Sequence, residues 1–125
     1  MQFIYKILPY WVTYTDDGLD AWEGGRTIRL TIKIKPQYRD DRSLLLHEVE
    51  HIKQTYKTCF LHSFLYGISN KYKLYTECQA YVAAQITLGT MTIEQVVDSL
   101  YSNYNLGMTR ENISNYVTNM VTKSK

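Results

Sequence analysis

The sequence predicts an α+β fold: a small N-terminal antiparallel sheet packed on a helical body, with a His-Glu-x-x-His turn on one helix. Three observations lead there. Up to residue 36, short aromatic and β-branched runs alternate with breaks at Pro9, Asp16-Asp17-Gly18, Gly24-Gly25 and Pro36. From residue 40 onward, apolar residues recur at three- and four-residue spacing, the period of a helix with one buried face. His47, Glu48 and His51 fall inside the first of these helical stretches. The length of 125 residues suits one domain, with residues 1–36 mainly β and 40–123 mainly α.

Each element has its own reason. Residues 3–8 form an apolar segment stopped by Pro9, and residues 10–14, Tyr-Trp-Val-Thr-Tyr, make a second β run. The clearest strand signal is in residues 26–35, where Ile28, Leu30, Ile32 and Ile34 alternate with Arg29, Thr31, Lys33 and Lys35. That pattern predicts one strand with an apolar face and a basic, wet face. Asp40 or Asp41 caps the helix that follows, which runs to residue 57 or 59 and buries Leu45, Val49, Ile52 and Tyr56. Residues 60–66 continue it or form a second short helix, with Gly67 and Ser69-Asn70 as the stop. A helix over 74–88 carries Glu77, Ala80, Tyr81 and Ala84 on one face and ends at Gly89. Thr92-Ile93-Glu94-Gln95 is a capping-box pattern opening a helix to about residue 104. Gly107 breaks it. Thr109 opens a last helix with Ile113, Tyr116 or Val117, and Met120 or Val121 inward, and Ser124 and Lys125 fraying.

Composition excludes several classes. A net charge of +2 without a basic run gives no footprint for nucleic acid. No apolar run is long enough to span a bilayer, and residues 1–6 lack the basic start and apolar stretch of a secretory leader, so a cytoplasmic protein is expected. Cys59 and Cys78 make no tight metal pair and are expected as free thiols. Apolar residues at 45% supply one core, and twelve tyrosines must pack while keeping their hydroxyls bonded or wet.

The chemistry gathers on the His-Glu-x-x-His turn. Four residues apart on a helix, the imidazoles of His47 and His51 point at one metal ion, and Glu48 stands about 100° round from His47, beside the metal. Two of the chain's three histidines lie here. Such a turn supplies two Zn2+ ligands and a general base for cleaving a peptide or protein substrate. A catalytic zinc takes a third protein ligand. Glu77, on a separate helix with small neighbours, is the first candidate, and His62, eleven residues after His51, is its rival. Glu50 faces away from Glu48 and suits pairing with Lys53 or Lys57. Tyr81, one turn after Glu77, is the candidate catalytic helper, with Tyr75 as a second.

His47, Glu48, His51 and Glu77 resemble the ligand and base set of the gluzincins, zinc peptidases with a glutamate ligand on a second helix. Lys57, six residues past His51, stands where metzincins carry another histidine. The short chain resembles the single-domain minigluzincins. Over about residues 26–85 it is also similar to small uncharacterised proteins of tailed bacteriophages and prophages. That likeness rests on Arg39-Asp40-Asp41, the metal motif, Leu61-His62-Ser63-Phe64-Leu65-Tyr66 and Glu77-Cys78-Gln79-Ala80-Tyr81. The resemblance implies a zincin-like fold, a zinc metallopeptidase, and a place in the bacterial host cytoplasm or on the virion among other phage proteins. It names no substrate. An expectation of another class is a non-catalytic structural or binding component of a virion on the same scaffold, using the apolar residues 60–66 for association.

Overall fold

A computed structural model of the chain describes residues 1–4 and 8–124. The chain divides into two compact units, Met1–Ser63 and Phe64–Lys125. The fold class is α+β, as the sequence predicts: the described strands precede residue 35 and the α-helices follow residue 41.

The first unit is a four-stranded sheet with one long helix against it. Its strands are β1 (Gln2–Ile4), β2 (Leu8–Tyr14), β3 (Gly25–Ile28) and β4 (Thr31–Ile34), in the order β1-β2-β4-β3. Within the predicted apolar segment 3–8, residues 5–7 lie outside the described residues, as does Lys125 at the other end. The predicted single strand over 26–35 is instead a hairpin. Arg29 and Leu30 form its two-residue turn, with Ile28 opposite Thr31 and Gly25 opposite Ile34. Arg29 takes a φ of +55°, the left-handed region in which a hairpin turn matches strand twist. The alternation misleads because a two-residue turn preserves period two across the break. Pairing by β1 and β2 is antiparallel, but β2 runs parallel to β4, so the sheet is mixed rather than wholly antiparallel.

β4 has a partner on each side, and its Ile32 and Ile34 are fully buried. Each contributes roughly 1.5–3 kcal/mol by leaving water. They join Ile4, Tyr10, Val49 and Ile52 in one core, with Leu44, Leu45 and Tyr56 packed against it. This is the predicted inner stripe of α1 (Arg42–Lys57), which packs against β3 and β4. Asp41 is the cap, accepting from the Leu44 N–H at 3.1 Å. The Tyr56 hydroxyl ties α1 to β2 by donating to the Pro9 carbonyl at 2.6 Å. The helix stops at two successive residues of positive φ, Cys59 and Phe60.

The second unit is helical. A short helix α2 (His62–Ile68), whose first two residues belong to the first unit, leads into α3 (Asn70–Tyr81), a π-helical turn (Val82–Ile86), α4 (Ile93–Asn103) and α5 (Arg110–Ser124). Ser69, expected to mark a stop, is also a start: its hydroxyl accepts from the Tyr72 N–H at 3.1 Å, so α3 begins a turn earlier than predicted. The Thr92–Gln95 capping box forms reciprocally, with bonds of 2.9 and 3.1 Å. Leu74, Cys78, Tyr81, Val96, Val97, Leu100, Ile113, Val117 and Val121 make the unit's core. Gly89 at φ +75° ends the helical run as expected. No helix among the described residues is long and apolar enough to cross a membrane.

Candidate metal centre

The histidine turn is built by α1. Helical spacing and the pull of Val49 and Ile52 toward the sheet set the roll of this helix. At that roll His47, Glu48 and His51 are all buried, an unusual state for three polar residues on one turn. The two imidazole rings stand edge to face with centroids 5.1 Å apart. Glu50, on the other side, pairs with Lys53 at 3.7 Å, as expected.

Neighbouring side chains orient this turn. His51 Nδ1 lies 2.8 Å from Gln54 Oε1. An amide oxygen only accepts, so Nδ1 carries the proton and Nε2 keeps the lone pair a metal needs. Glu48 is held from the sheet. The Thr27 hydroxyl on β3 lies 2.9 Å from Glu48 Oε1 and 3.0 Å from the Glu48 carbonyl oxygen, so its one proton serves two acceptors. Gly25 permits this close strand: a Cβ there would stand 2.8 Å from the Lys33 carbonyl oxygen and 3.6 Å from Glu48 Cγ.

Glu77 lies on α3 and is buried. The Tyr66 hydroxyl donates to its Oε2 at 2.5 Å, the short end of bonds to a carboxylate. Lys73 Nζ sits 5.1 Å from the centre of the Tyr66 ring. Tyr81 is buried, with its hydroxyl 2.9 Å from Ser99 Oγ and 3.2 Å from the Tyr104 hydroxyl. Tyr104 keeps its proton far into the alkaline range. Burial of its hydroxyl pushes its pKa well above the ordinary phenol value, and Glu77, Tyr81 and Tyr66 push it further. Tyr75, the second candidate helper, is exposed. His62 is buried at the start of α2, its ring centroid 5.6 Å from that of His51.

Among the described residues, His47, His51 and Glu77 form a group that can hold a metal ion: each offers one ligand atom, and these lie within 4.8 Å of one another. The donor set fits. Two imidazoles and one carboxylate, all buried, are a known ligand set of catalytic zinc. Donors about 2.0–2.2 Å from a tetrahedral ion stand about 3.4 Å apart. The chemistry of the donors does not by itself choose zinc over another borderline cation.

The sequence points to His47, Glu48, His51 and Glu77, but not to Thr27, Gln54 or Tyr66, which bond to three of them. Gln54 had a signal, three residues after His51 on the same helix face. Thr27 lay hidden in a strand read as continuous. Tyr66 was one of twelve tyrosines. In comparisons with protein families, curated proteins and solved structures, nothing matches this chain.

Proposed function

We propose that the protein is a zinc-dependent metallopeptidase of gluzincin type. His47, His51 and Glu77 are the zinc ligands and Glu48 is the general base and acid. The observation that carries this reading is the buried His47–His51–Glu77 group, with a buried carboxylate, Glu48, one residue from its first ligand. Zinc at that group would supply Lewis acidity, acidifying water and polarising the scissile carbonyl. Glu48 takes the proton from the attacking water and returns it to the departing amine. Thr27 holds the Glu48 carboxylate in one rotamer for both transfers, and Gln54 holds His51 in the tautomer that offers Nε2. β3, the terminal strand of the sheet, packs along α1, so an extended peptide paired with its outer edge would run beside Glu48. Tyr81 and Tyr75 are assigned no step. The bacteriophage likeness supports a role in the host cytoplasm or on the virion, acting on a phage or host protein.

A second reading rests on a specific surface. Phe60, Leu61, Phe64 and Ile68 are each more than half exposed on or beside α2. Such apolar exposure suits a non-catalytic component that binds other virion proteins.

Metal analysis and a digest separate the two readings. Purified protein is expected to hold about one zinc per chain and to melt higher when zinc is added. A peptide library should be cleaved by the wild type, and Glu48→Gln should slow cleavage by about 100-fold or more while retaining zinc. Protein that takes up no zinc removes the enzyme reading. Cleavage unchanged in Glu48→Gln removes the assigned mechanism.

A further inference from the structure

We propose that Tyr66 is a positioning residue for Glu77, holding the carboxylate in the orientation in which it meets the metal. This inference deepens the reading above and rests on it.

The Tyr66 hydroxyl donates to Glu77 Oε2 at 2.5 Å, inside the range of charge-assisted bonds between a hydroxyl and a carboxylate. The terminal torsion of a glutamate is broad and soft, so a lone carboxylate samples many planes. A short bond to one oxygen selects one plane and one rotamer. It also favours ligation through one oxygen over chelation through two, which suits a tetrahedral site with a position left for water.

The phenol is itself held. Tyr66 lies on α2 and Glu77 on α3, and these helices are joined by Ser69 alone. Ser69 fixes the start of α3 through the Tyr72 N–H. Lys73, on the first turn of α3, sits over the Tyr66 ring. The ring is therefore clamped by the helix that carries its acceptor. A phenol is a suitable donor here because it is neutral: it orients the carboxylate without cancelling the charge the metal requires, as an arginine would.

This role differs from filling space, because Tyr66→Phe keeps the ring and removes only the hydroxyl. Partners that orient metal ligands typically contribute about 10–100-fold to metal affinity. The test is zinc affinity by competition with a chromogenic chelator, with the visible spectrum of the cobalt-loaded protein as a second readout. Tyr66→Phe should bind zinc about 10–100-fold more weakly than wild type and shift the cobalt bands. Tyr101→Phe, an exposed tyrosine, should match wild type in both. Zinc affinity in Tyr66→Phe equal to wild type overturns the proposal. A wild type that binds no zinc takes down the metallopeptidase reading itself, a separate result. If Tyr66→Phe fails to fold, fluorotyrosine incorporated into the wild type replaces it. The fluorine signal of Tyr66 should move at one equivalent of zinc while that of Tyr101 stays; a Tyr66 signal that does not move overturns the proposal.

Discussion

Glu48 and Glu77 are both buried carboxylates on helices, and each meets a hydroxyl, but the two regions hold them differently. Glu48 meets Thr27, whose hydroxyl sits one torsion from a backbone fixed by the β3–β4 ladder. Glu77 meets Tyr66, whose hydroxyl stands at the end of a long ring fixed by packing under Lys73. In the first region, strand register places the carboxylate. In the second, side-chain packing on a helical frame does. Glu48 is therefore protected against core rearrangement as long as the hairpin holds, whereas the placement of Glu77 depends on how α2 and α3 pack.

The largest expected effects come from the proposed ligands themselves. His51→Ala in the first region and Glu77→Ala in the second should each weaken zinc binding by more than about 100-fold, beyond the range of supporting residues. Chelator competition measures both. If Glu77→Ala binds as wild type does while His51→Ala does not, the helical region contributes no ligand, and His62→Ala becomes the variant to assay.

Core truncations come next and compare the two frames. Ile32→Ala removes a fully buried side chain from the inner strand, and Ile113→Ala removes one from the helical core. Each should cost about 2–5 kcal/mol in urea denaturation. A loss under about 1 kcal/mol for Ile32→Ala would mean that the sheet can collapse around the gap, and register would then be a poor account of how Glu48 is held. Smaller than either is the effect of the Tyr66 hydroxyl on zinc affinity, which sharpens the same contrast at the level of one atom.

Much of this was legible in the residues. Asp41, the α1 stripe, the Thr92 capping box and the stops at Gly89 and Gly107 follow from local chemistry that tertiary contacts do not override. The pairing of His47 with His51 on one turn was also accessible, because helical spacing is rigid. The hairpin at Arg29-Leu30 was not. Its turn has neither glycine nor asparagine, and the unbroken alternation of Ile28, Leu30, Ile32 and Ile34 reads straight through it. The parallel pairing of β2 with β4 was hidden for the same reason, since it exists only once the hairpin places β4 inside the sheet. The π-helical turn at Val82–Ile86 leaves no mark in the pattern of apolar residues. Thr27 could not be singled out because its bond to Glu48 is a long-range contact, nor Tyr66 because its bond to Glu77 crosses from one helix to the next.

The two free cysteines have a practical consequence. Cys59 is exposed just past the end of the helix bearing the histidines, and Cys78 is buried beside Glu77 on α3. Burial pushes the Cys78 thiol up to about 12, so at pH 8 only about one molecule in ten thousand carries its reactive thiolate. A maleimide dye at that pH should attach to Cys59 alone, with a second site appearing on denaturation, as mass spectrometry would count. The native sequence is thus ready for single-site labelling, and a fluorophore there would report on the end of α1 without a cysteine being engineered in or removed.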